Sequence, residues 1–275
     1  MKELVVKLIG NYINMLSYIS KPYAANKAMY LFTTPRAGKV NEEQSDFLHT
    51  AYQEELKFEN HRIMTYRWLG TKQTILLTHG WESNSARWKK LIIDLKKKGF
   101  NVVALDAPAH GRSGGNIFNA LLYAEFINVV ANRFSPDIII GHSVGGMASV
   151  YFQHKYQFAP LKKLVLLGSP SEFKDVMKRY TDMLGYNQRI VSELQHTIVE
   201  RFGSPAETFS TAKFLETIAS EGLIIHDEDD RIIPYKDALL IKNSFKNSKL
   251  ITTKGLGHSL IDASVAEHIY AFIDA

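Results

Sequence analysis

Cysteine is absent from the chain of 275 residues. Its absence excludes disulfide bonds, thiolate metal sites and a cysteine nucleophile, although it does not identify the cellular compartment. A strong excess of one charge is also lacking, since 33 lysine and arginine residues stand against 28 aspartate and glutamate residues and give a net charge of +5. So mild an excess favours a soluble enzyme without a preference for anionic partners.

The sequence has no long basic stretch. Its lysine clusters at residues 89–90, 96–98 and 162–163 are short, and the first two interrupt apolar residues at helical spacing, which predicts a solvated helix face. No nucleic-acid motif and no stripe of basic and aromatic residues accompanies them. We therefore expect no nucleic-acid partner.

A long uninterrupted apolar run is missing from the N-terminus as well. Apolar residues recur there at helical spacing, but Lys7, Asn11 and Asn14 interrupt them. The segment is too polar for a membrane-spanning helix and lacks the apolar stretch and small-residue cleavage site of a signal peptide. The pattern predicts an amphipathic helix in a cytoplasmic protein.

The apolar face of this helix is too large to leave in water, so we expect it to be covered. Surface helices that bind membranes favour a face rich in lysine and arginine, whereas the first 20 residues carry only Lys2 and Lys7 against Glu3. Docking within the chain, near the helical lid described below, is therefore preferred over a partner subunit or a membrane surface. The face consists of Leu4, Leu8, Ile9, Tyr12, Ile13, Leu16 and Ile19.

Short apolar runs alternate with longer amphipathic segments through most of the chain. Residues 55–58 and 62–68 flank a turn and are typical of an antiparallel hairpin. The runs that follow suit a sheet covered on both faces, and strand–helix alternation predicts parallel strands joined by right-handed crossovers. These six runs lie at residues 74–78, 101–105, 137–140, 163–167, 222–225 and 249–252.

One long gap breaks the alternation between the run that ends at residue 167 and the run that begins at residue 222. The gap is polar, reads as helical and is too long for a simple connection, so residues 171–220 are interpreted as a small helical lid. The predicted fold class is α/β, with a mostly parallel doubly wound sheet and an N-terminal helical extension. The extension covers residues 1–54, and the α/β domain with its lid covers residues 55–275.

The candidate nucleophile is Ser143. Residues 141–146, Gly-His-Ser-Val-Gly-Gly, follow a predicted strand and precede a predicted helix. This is the G-x-S-x-G pattern, in which a serine occupies a tight strand-to-helix turn and the flanking glycines remove side chains that would collide there. The turn places the hydroxyl at a helix N-terminus, whose positive end favours negative charge that develops nearby. The pattern alone occurs by chance, but its strand–turn–helix context makes it specific.

A serine hydroxyl is a poor nucleophile near neutral pH and needs a base. His258 lies in a glycine-rich loop after the last predicted strand and follows the serine in chain order, so it is the candidate base. The segment after the penultimate strand supplies the orienting carboxylate, since the order Ser, acid, His is typical of such triads. Its pattern lacks the glycine and the distal glutamate of a calcium loop, so no metal site is expected. The four candidate acids are Asp227, Glu228, Asp229 and Asp230.

A tetrahedral intermediate also needs an oxyanion hole. One donor is expected to be the backbone N–H that follows the nucleophile, here that of Val144, and the other comes from the loop after an earlier strand. Trp81 follows the strand at residues 74–78, and its backbone N–H is the candidate. The Trp81 side chain is compatible with lining a pocket or with packing, whereas Trp88 lies at the spacing of a core residue.

Taken together, these motifs resemble those of the α/β-hydrolase superfamily, and they occur in its order across residues 55–275. The resemblance implies that Asp230, rather than Asp227 or Asp229, is the acid. It also implies that the loop at residues 106–113 shapes the site without carrying chemistry, so Asp106 and His110 are expected to be structural. The matching segments are residues 79–81, 106–113, 141–146, 230–234 and 257–258.

The nucleophile motif is similar to those of esterases, monoglyceride lipases and carbon–carbon bond hydrolases, and it differs from the Gly-Gly-Ser-Trp-Gly form of proline iminopeptidases. Serine at position 143 argues against the chemistry of haloalkane dehalogenases and epoxide hydrolases, which use aspartate there. Residues 1–50 have no counterpart in the minimal fold of the family.

The sequence thus predicts hydrolysis of a carboxylic ester or thioester of a small-molecule acyl substrate, with no cofactor and no metal. Three alternatives stay open: a carbon–carbon hydrolase or acyltransferase with the same triad, a ligand-binding receptor on a hydrolase scaffold, and a scaffold whose partner binds the N-terminal extension. A membrane partner is not expected, and the sequence leaves the oligomeric state open.

Overall fold

The computed structural model describes residues 2–275, and their side chains from Leu4 onward. The side chains of Lys2 and Glu3, which entered the charge argument above, lie outside this range, as does residue 1 of the predicted extension. The chain divides into two compact units. The larger unit comprises Pro35–Ser171 and Thr211–Ala275, and the smaller unit comprises Glu172–Ser210 and the N-terminal residues up to Thr34.

The larger unit is built on one sheet of eight strands in the order β1-β2-β4-β3-β5-β6-β7-β8. The first two strands form the predicted antiparallel hairpin, and β2 runs antiparallel to β4. All pairs from β4 to β8 across the rest of the sheet are parallel. The strands are β1 (Tyr52–Phe58), β2 (His61–Trp68), β3 (Thr74–Thr78), β4 (Asn101–Leu105), β5 (Ile138–His142), β6 (Lys163–Leu167), β7 (Glu221–Asp227) and β8 (Ser248–Thr253).

Helices cover both faces of this sheet, as the continuous apolar strands predict. Alternate residues of one strand enter different cores: Leu76 of β3 packs with the helices on one face, and its neighbours Ile75 and Leu77 pack on the other. The helices of this unit are α3 (Glu42–Leu48), α4 (Lys89–Lys97), α5 (Ala120–Phe134), α6 (Val144–Tyr156), α9 (Thr211–Leu215), α10 (Lys236–Ser244) and α11 (Ala263–Asp274). The α/β class and the mostly parallel sheet predicted from the sequence are confirmed.

The smaller unit is helical and combines the N-terminus with the segment that interrupts the strand alternation. Its helices are α1 (Lys2–Ile19), α2 (Lys21–Thr33), α7 (Phe173–Leu184) and α8 (Gln188–Phe202). Ile13 of α1 is buried in one core with Met29 of α2 and Ile190 of α8. The division of the chain into residues 1–54 and 55–275 stays a prediction.

The burial predicted for α1 is wrong for most of its apolar face. Leu4, Leu8, Tyr12 and Ile19 are exposed, and only Ile13 of the predicted set is fully buried. The physical reason is that α1 is apolar around more than one side, so apolar spacing alone does not indicate which side faces the core. The side that packs on the other helices of the smaller unit carries the buried residues Gly10, Ile13 and Ser17.

Two polar contacts fix the position of α1 within the smaller unit. The side-chain amide of Asn14 donates to the carbonyl of Gly185 at 2.8 Å, and its oxygen accepts from the N–H of Asn187 at 2.9 Å. Gly10 lies against the end of α7, where an added Cβ would come within 1.7 Å of the Leu184 carbonyl oxygen. Within the described residues, no helix combines the length and apolarity needed to cross a membrane.

Candidate active site

The turn between β5 and α6 holds Ser143 in an unusual backbone conformation. Its φ is 54° and its ψ is −129°, a combination that costs a residue with a side chain on the order of 1–3 kcal/mol and persists only where the surroundings enforce it. The N–H of Ser143 donates to the carbonyl of Leu167 on the neighbouring strand at 2.8 Å. The serine is therefore held at the carboxyl end of the sheet, where ligands of open α/β sheets bind.

Glycines make room for this turn. A Cβ at Gly145 would lie 2.4 Å from the carbonyl oxygens of Thr78 and His79, and a Cβ at Gly141 would lie 2.5 Å from the Cα of Gly146. Real Cβ atoms do not approach backbone atoms so closely, so both positions require glycine. The first turn of α6 thus packs directly against the end of β3.

Three predicted side chains are in hydrogen-bond contact at this edge of the sheet. His258, in the loop after β8, places Nε2 at 3.0 Å from the Ser143 hydroxyl oxygen. Its Nδ1 lies 2.7 Å from Oδ2 of Asp230, in the loop after β7. Because an ionised carboxylate only accepts, Nδ1 carries the proton and the Nε2 lone pair faces the serine hydroxyl. This arrangement is able to remove a proton from Ser143.

The surroundings keep Asp230 ionised. Its Oδ1 accepts from the backbone N–H groups of Ile232 and Ile233 at 2.8 and 2.9 Å, and Nε2 of His226 lies 3.4 Å from its Oδ2. Burial alone would raise the pKa of Asp230, but the hydrogen bonds from His226, His258 and Ile233 outweigh it and hold that pKa below its usual range. A carboxylate in this state stabilises a protonated imidazole beside it.

The other acids of this loop do not reach His258. Asp227 is fully buried and accepts from the Thr253 hydroxyl at 2.8 Å and from the Leu256 N–H at 3.0 Å. Burial opposes ionisation of Asp227, yet these hydrogen bonds lower its pKa. Asp229 is exposed. Among the acids that the sequence left open, the geometry therefore places Asp230 next to the histidine.

The two segments expected to supply oxyanion donors both adjoin the serine. Val144 is the first residue of α6, where the leading N–H groups of a helix have no partner inside it. Trp81 follows Gly80, and a Cβ at Gly80 would lie 2.9 Å from the Cβ of Ser143, so the loop after β3 runs against the serine. The Trp81 ring packs edge-on against His110, with ring centres 5.4 Å apart. Trp88 is buried, as its spacing predicts.

The loop at residues 106–113 contacts the segment that follows β3. Asp106 is fully buried and accepts from the Tyr66 hydroxyl at 2.9 Å and from the Ser85 hydroxyl at 2.7 Å. Nε2 of His110 accepts from the N–H of Glu82 at 2.9 Å. Neither Asp106 nor His110 contacts Ser143 or His258, so both fit the structural role expected of them.

Sequence reasoning missed three residues that surround His258. Nε2 of His142 donates to the carbonyl of His258 at 2.8 Å, and Arg87 donates to the carbonyl of the next residue, Ser259, at 2.9 Å. Gly168 lies beside the imidazole, where a Cβ would make an ordinary contact with Nδ1 at 3.5 Å, and its φ of 55° is the feature that favours glycine there. His142 stands inside the G-x-S-x-G motif, and this position could have marked it as a residue of the site. Nothing in the local sequence marks Arg87 or Gly168.

The described residues contain no group of three or more histidine, aspartate or glutamate side chains placed to hold a metal ion. At the end of β7 and in the loop after it, the buried carboxylates instead accept hydrogen bonds from protein groups. Asp227 and Asp230 accept from backbone N–H groups and from side chains of the same edge of the sheet.

Comparison with known proteins gives similarities to hydrolases and haloperoxidases. A family model described as alpha/beta hydrolase fold matches residues 73–203. The bifunctional esterase/perhydrolase of Acinetobacter calcoaceticus is 26% identical over 240 residues, which cover 68% of this chain and 85% of that protein. A non-heme haloperoxidase of Rhodococcus erythropolis is 25% identical over 244 residues, or 71% and 89% of the two chains. The thioesterase domain from the curacin biosynthetic pathway shares the fold, with a TM-score of 0.60 and 20% identity over 82% of this chain and 99% of that chain.

Proposed function

Because the chain belongs to the α/β-hydrolase superfamily, we propose that it is a serine hydrolase that cleaves a carboxylic ester or thioester. The observation that carries this proposal is the hydrogen-bonded series of Ser143, His258 and Asp230. A nucleophile, a base and an orienting acid in this order are the parts that acyl transfer by serine requires.

In the first half-reaction, the Ser143 hydroxyl oxygen attacks the acyl carbon while Nε2 of His258 accepts its proton. The tetrahedral intermediate then collapses, the bond from the acyl carbon to the alcohol oxygen or the thiol sulfur breaks, and His258 returns the proton to that leaving group. Asp230 stays ionised throughout and stabilises the imidazolium. The product of this half-reaction is an ester of Ser143.

The backbone N–H groups of Val144 and Trp81 donate to the oxyanion of the intermediate. Each such donor contributes roughly 3 kcal/mol to the stability of the transition state. The positive end of α6, which begins at Val144, favours the same negative charge.

In the second half-reaction, water replaces the leaving group. His258 takes a proton from the water as it attacks the acyl carbon, and the proton then returns to the Ser143 oxygen as the carboxylic acid departs. Water is the only co-substrate of this sequence, and the proposal involves no cofactor.

A second candidate activity is perhydrolysis, because the similar protein of Acinetobacter calcoaceticus is named a bifunctional esterase/perhydrolase. Hydrogen peroxide would attack the same acyl-enzyme in place of water and release a peroxycarboxylic acid. Carbon–carbon hydrolysis and acyl transfer to another acceptor also use this triad, so the acceptor and the bond cleaved distinguish the activities.

The test is turnover of p-nitrophenyl esters by the purified chain, with labelling by a fluorophosphonate probe. Ser143→Ala is expected to abolish labelling and to lower kcat by roughly 10⁴- to 10⁶-fold, whereas Ser259→Ala, at an exposed serine close by, retains both. Peroxide added to the assay reveals the second candidate if peroxy acid forms. Labelling that persists in Ser143→Ala would contradict the proposal.

A further inference from the structure

One side of α1 is exposed along its described length and is apolar except for Asn11, which lies between Leu8 and Met15. Residues three and four apart share one side of a helix, and this side carries seven large side chains that are between 49% and 85% exposed. Contiguous apolar patches of this kind are uncommon on monomeric soluble proteins and mark an interaction site. The seven are Leu4, Val5, Leu8, Tyr12, Met15, Tyr18 and Ile19.

The opposite side of α1 holds this surface in place. Ile13 is 2% exposed within the core of the smaller unit, Gly10 abuts the Leu184 carbonyl, and Asn14 bonds to Gly185 and Asn187. Rotating α1 to bury the exposed side would break all three sets of contacts. These contacts therefore keep the apolar side of α1 exposed before any partner binds.

Tyrosines are exposed on α2 as well. Tyr23 and Tyr30 are 50% and 56% exposed, and the Lys27 ammonium lies 5.5 Å from the centre of the Tyr23 ring. With Tyr12 and Tyr18, four exposed tyrosines lie on α1 and α2. Tyrosine combines an apolar ring with a polar tip and is enriched where lipid meets water.

The charge of the same segment distinguishes between partners. From Leu4 to Thr34 the sequence contains no aspartate or glutamate and three lysines, Lys7, Lys21 and Lys27, all of them exposed. A two-fold interface with a second copy would bring two such positive surfaces together. An anionic lipid surface instead attracts them, because basic residues beside a membrane interact with acidic headgroups.

We propose that the exposed side of α1, together with the exposed lysines and tyrosines of α2, binds the surface of an anionic membrane. The helix lies in the plane of the interface with its apolar side among the acyl chains and its lysines at the headgroups. This proposal replaces the expectation from the first 20 residues alone, because the stretch free of acidic residues continues through α2. It does not depend on the activity proposed for Ser143.

Flotation with lipid vesicles tests the proposal on the full chain. The protein is expected to float with vesicles of equal parts phosphatidylglycerol and phosphatidylcholine, and to float less with phosphatidylcholine alone or at high salt. Leu8→Gln/Met15→Gln should lower the bound fraction by about tenfold or more, since each change removes an apolar side chain from the interface. Lys7→Gln/Lys27→Gln should reduce binding to the anionic vesicles selectively.

The matched control is Leu69→Gln/Leu239→Gln, at two leucines of the larger unit that are 54% and 45% exposed. This variant should bind vesicles as the unchanged protein does, and circular dichroism melts identify any variant that has lost its fold. Absence of binding to both vesicle types, or an equal loss in the control, would overturn the proposal. So would light scattering that shows a dimer which Leu8→Gln/Met15→Gln converts to monomer, because the partner would then be a second copy.

Discussion

The carboxylate of Asp227 accepts a hydrogen bond from the backbone N–H of Leu256 at 3.0 Å, two residues before His258. A second bond from the Thr253 hydroxyl ends at the same oxygen. The end of β7 is thereby tied to the end of β8 and to the loop after it, and the loops after these two strands carry Asp230 and His258. Asp227 thus links these segments without contacting the imidazole of His258.

Because the resemblance assigns the acid to Asp230, Asp227→Asn would be expected to be mild, and the structure changes this expectation. An amide at this position presents an N–H₂ group to donors that need an acceptor. We predict that Asp227→Asn lowers kcat with little change in KM, and that Asp227→Ala also lowers the free energy of unfolding by about 2–4 kcal/mol because buried donors lose a charged partner.

Steady-state kinetics and urea unfolding measure these two effects. Asp229→Asn is the matched control, since Asp229 lies in the same loop and is exposed, and it should change neither quantity. Equal kinetics for Asp227→Asn and Asp229→Asn would show that the link between the loops does not position His258.

Asp230→Asn is expected to act on the chemistry itself. The amide oxygen stays with the N–H groups of Ile232 and Ile233, so the amide N–H₂ donates to Nδ1 of His258. The imidazole then carries its proton on Nε2, which no longer accepts from Ser143. We predict a loss of about 10⁴-fold in kcat with Asp229→Asn unaffected. A mild effect at Asp230 together with a large one at Asp229 would mean that the acid is wrongly assigned.

The sheet and the candidate site could be predicted from the sequence because the signals that specify them are local. Apolar runs such as residues 74–78 and 163–167 specify buried strands by themselves, and Gly141, Ser143 and Gly145 specify the turn through short-range sterics. Parallel strands then bring their carboxyl ends to one edge. The loops that carry Asp230 and His258 follow from this topology, so few long-range contacts had to be guessed.

The features that sequence reasoning missed depend on contacts between distant segments. Arg87 donates to the carbonyl of Ser259, which is 172 residues later in the sequence. No local sequence pattern predicts this contact. The orientation of α1 is of the same kind: its apolar residues occupy more than half its circumference, and the contact of Gly10 with Leu184 decides which side is buried.

That contact makes a further prediction. Alanine in a helix interior is ordinarily about 1 kcal/mol more favourable than glycine, but a Cβ at Gly10 would lie 1.7 Å from the Leu184 carbonyl oxygen. Because overpacking against backbone costs about 1–3 kcal/mol, we predict that Gly10→Ala lowers the thermal midpoint. The exposed neighbour provides the control, since Asn11→Ala should leave it unchanged or raise it. Two variants of equal stability would contradict the packing of α1 on α7.

His79 and His110 are two fully buried histidines of the larger unit. The Ala107 N–H donates to Nε2 of His79 at 3.0 Å, so its proton lies on Nδ1, which donates to the Gly80 carbonyl at 2.8 Å. His110 is held in the same way. Burial lowers the pKa of each imidazole from 6.5 to about 4.

In the unfolded chain both imidazoles take up a proton near their ordinary pKa of about 6.5, whereas in the folded chain they stay neutral until about pH 4. The unfolded state therefore binds more protons between these two values, and the free energy of unfolding falls as the pH falls through this window. Each histidine contributes a loss of about 3 kcal/mol when the whole window has been crossed.

Urea unfolding at several pH values between 8 and 4 (roughly the range of this titration) measures the slope. His110→Gln should reduce the slope even though it lowers stability at neutral pH, and His268→Gln, at an exposed histidine, should leave the slope unchanged. A slope that is the same in all three proteins would show that His110 is not held neutral in the folded state.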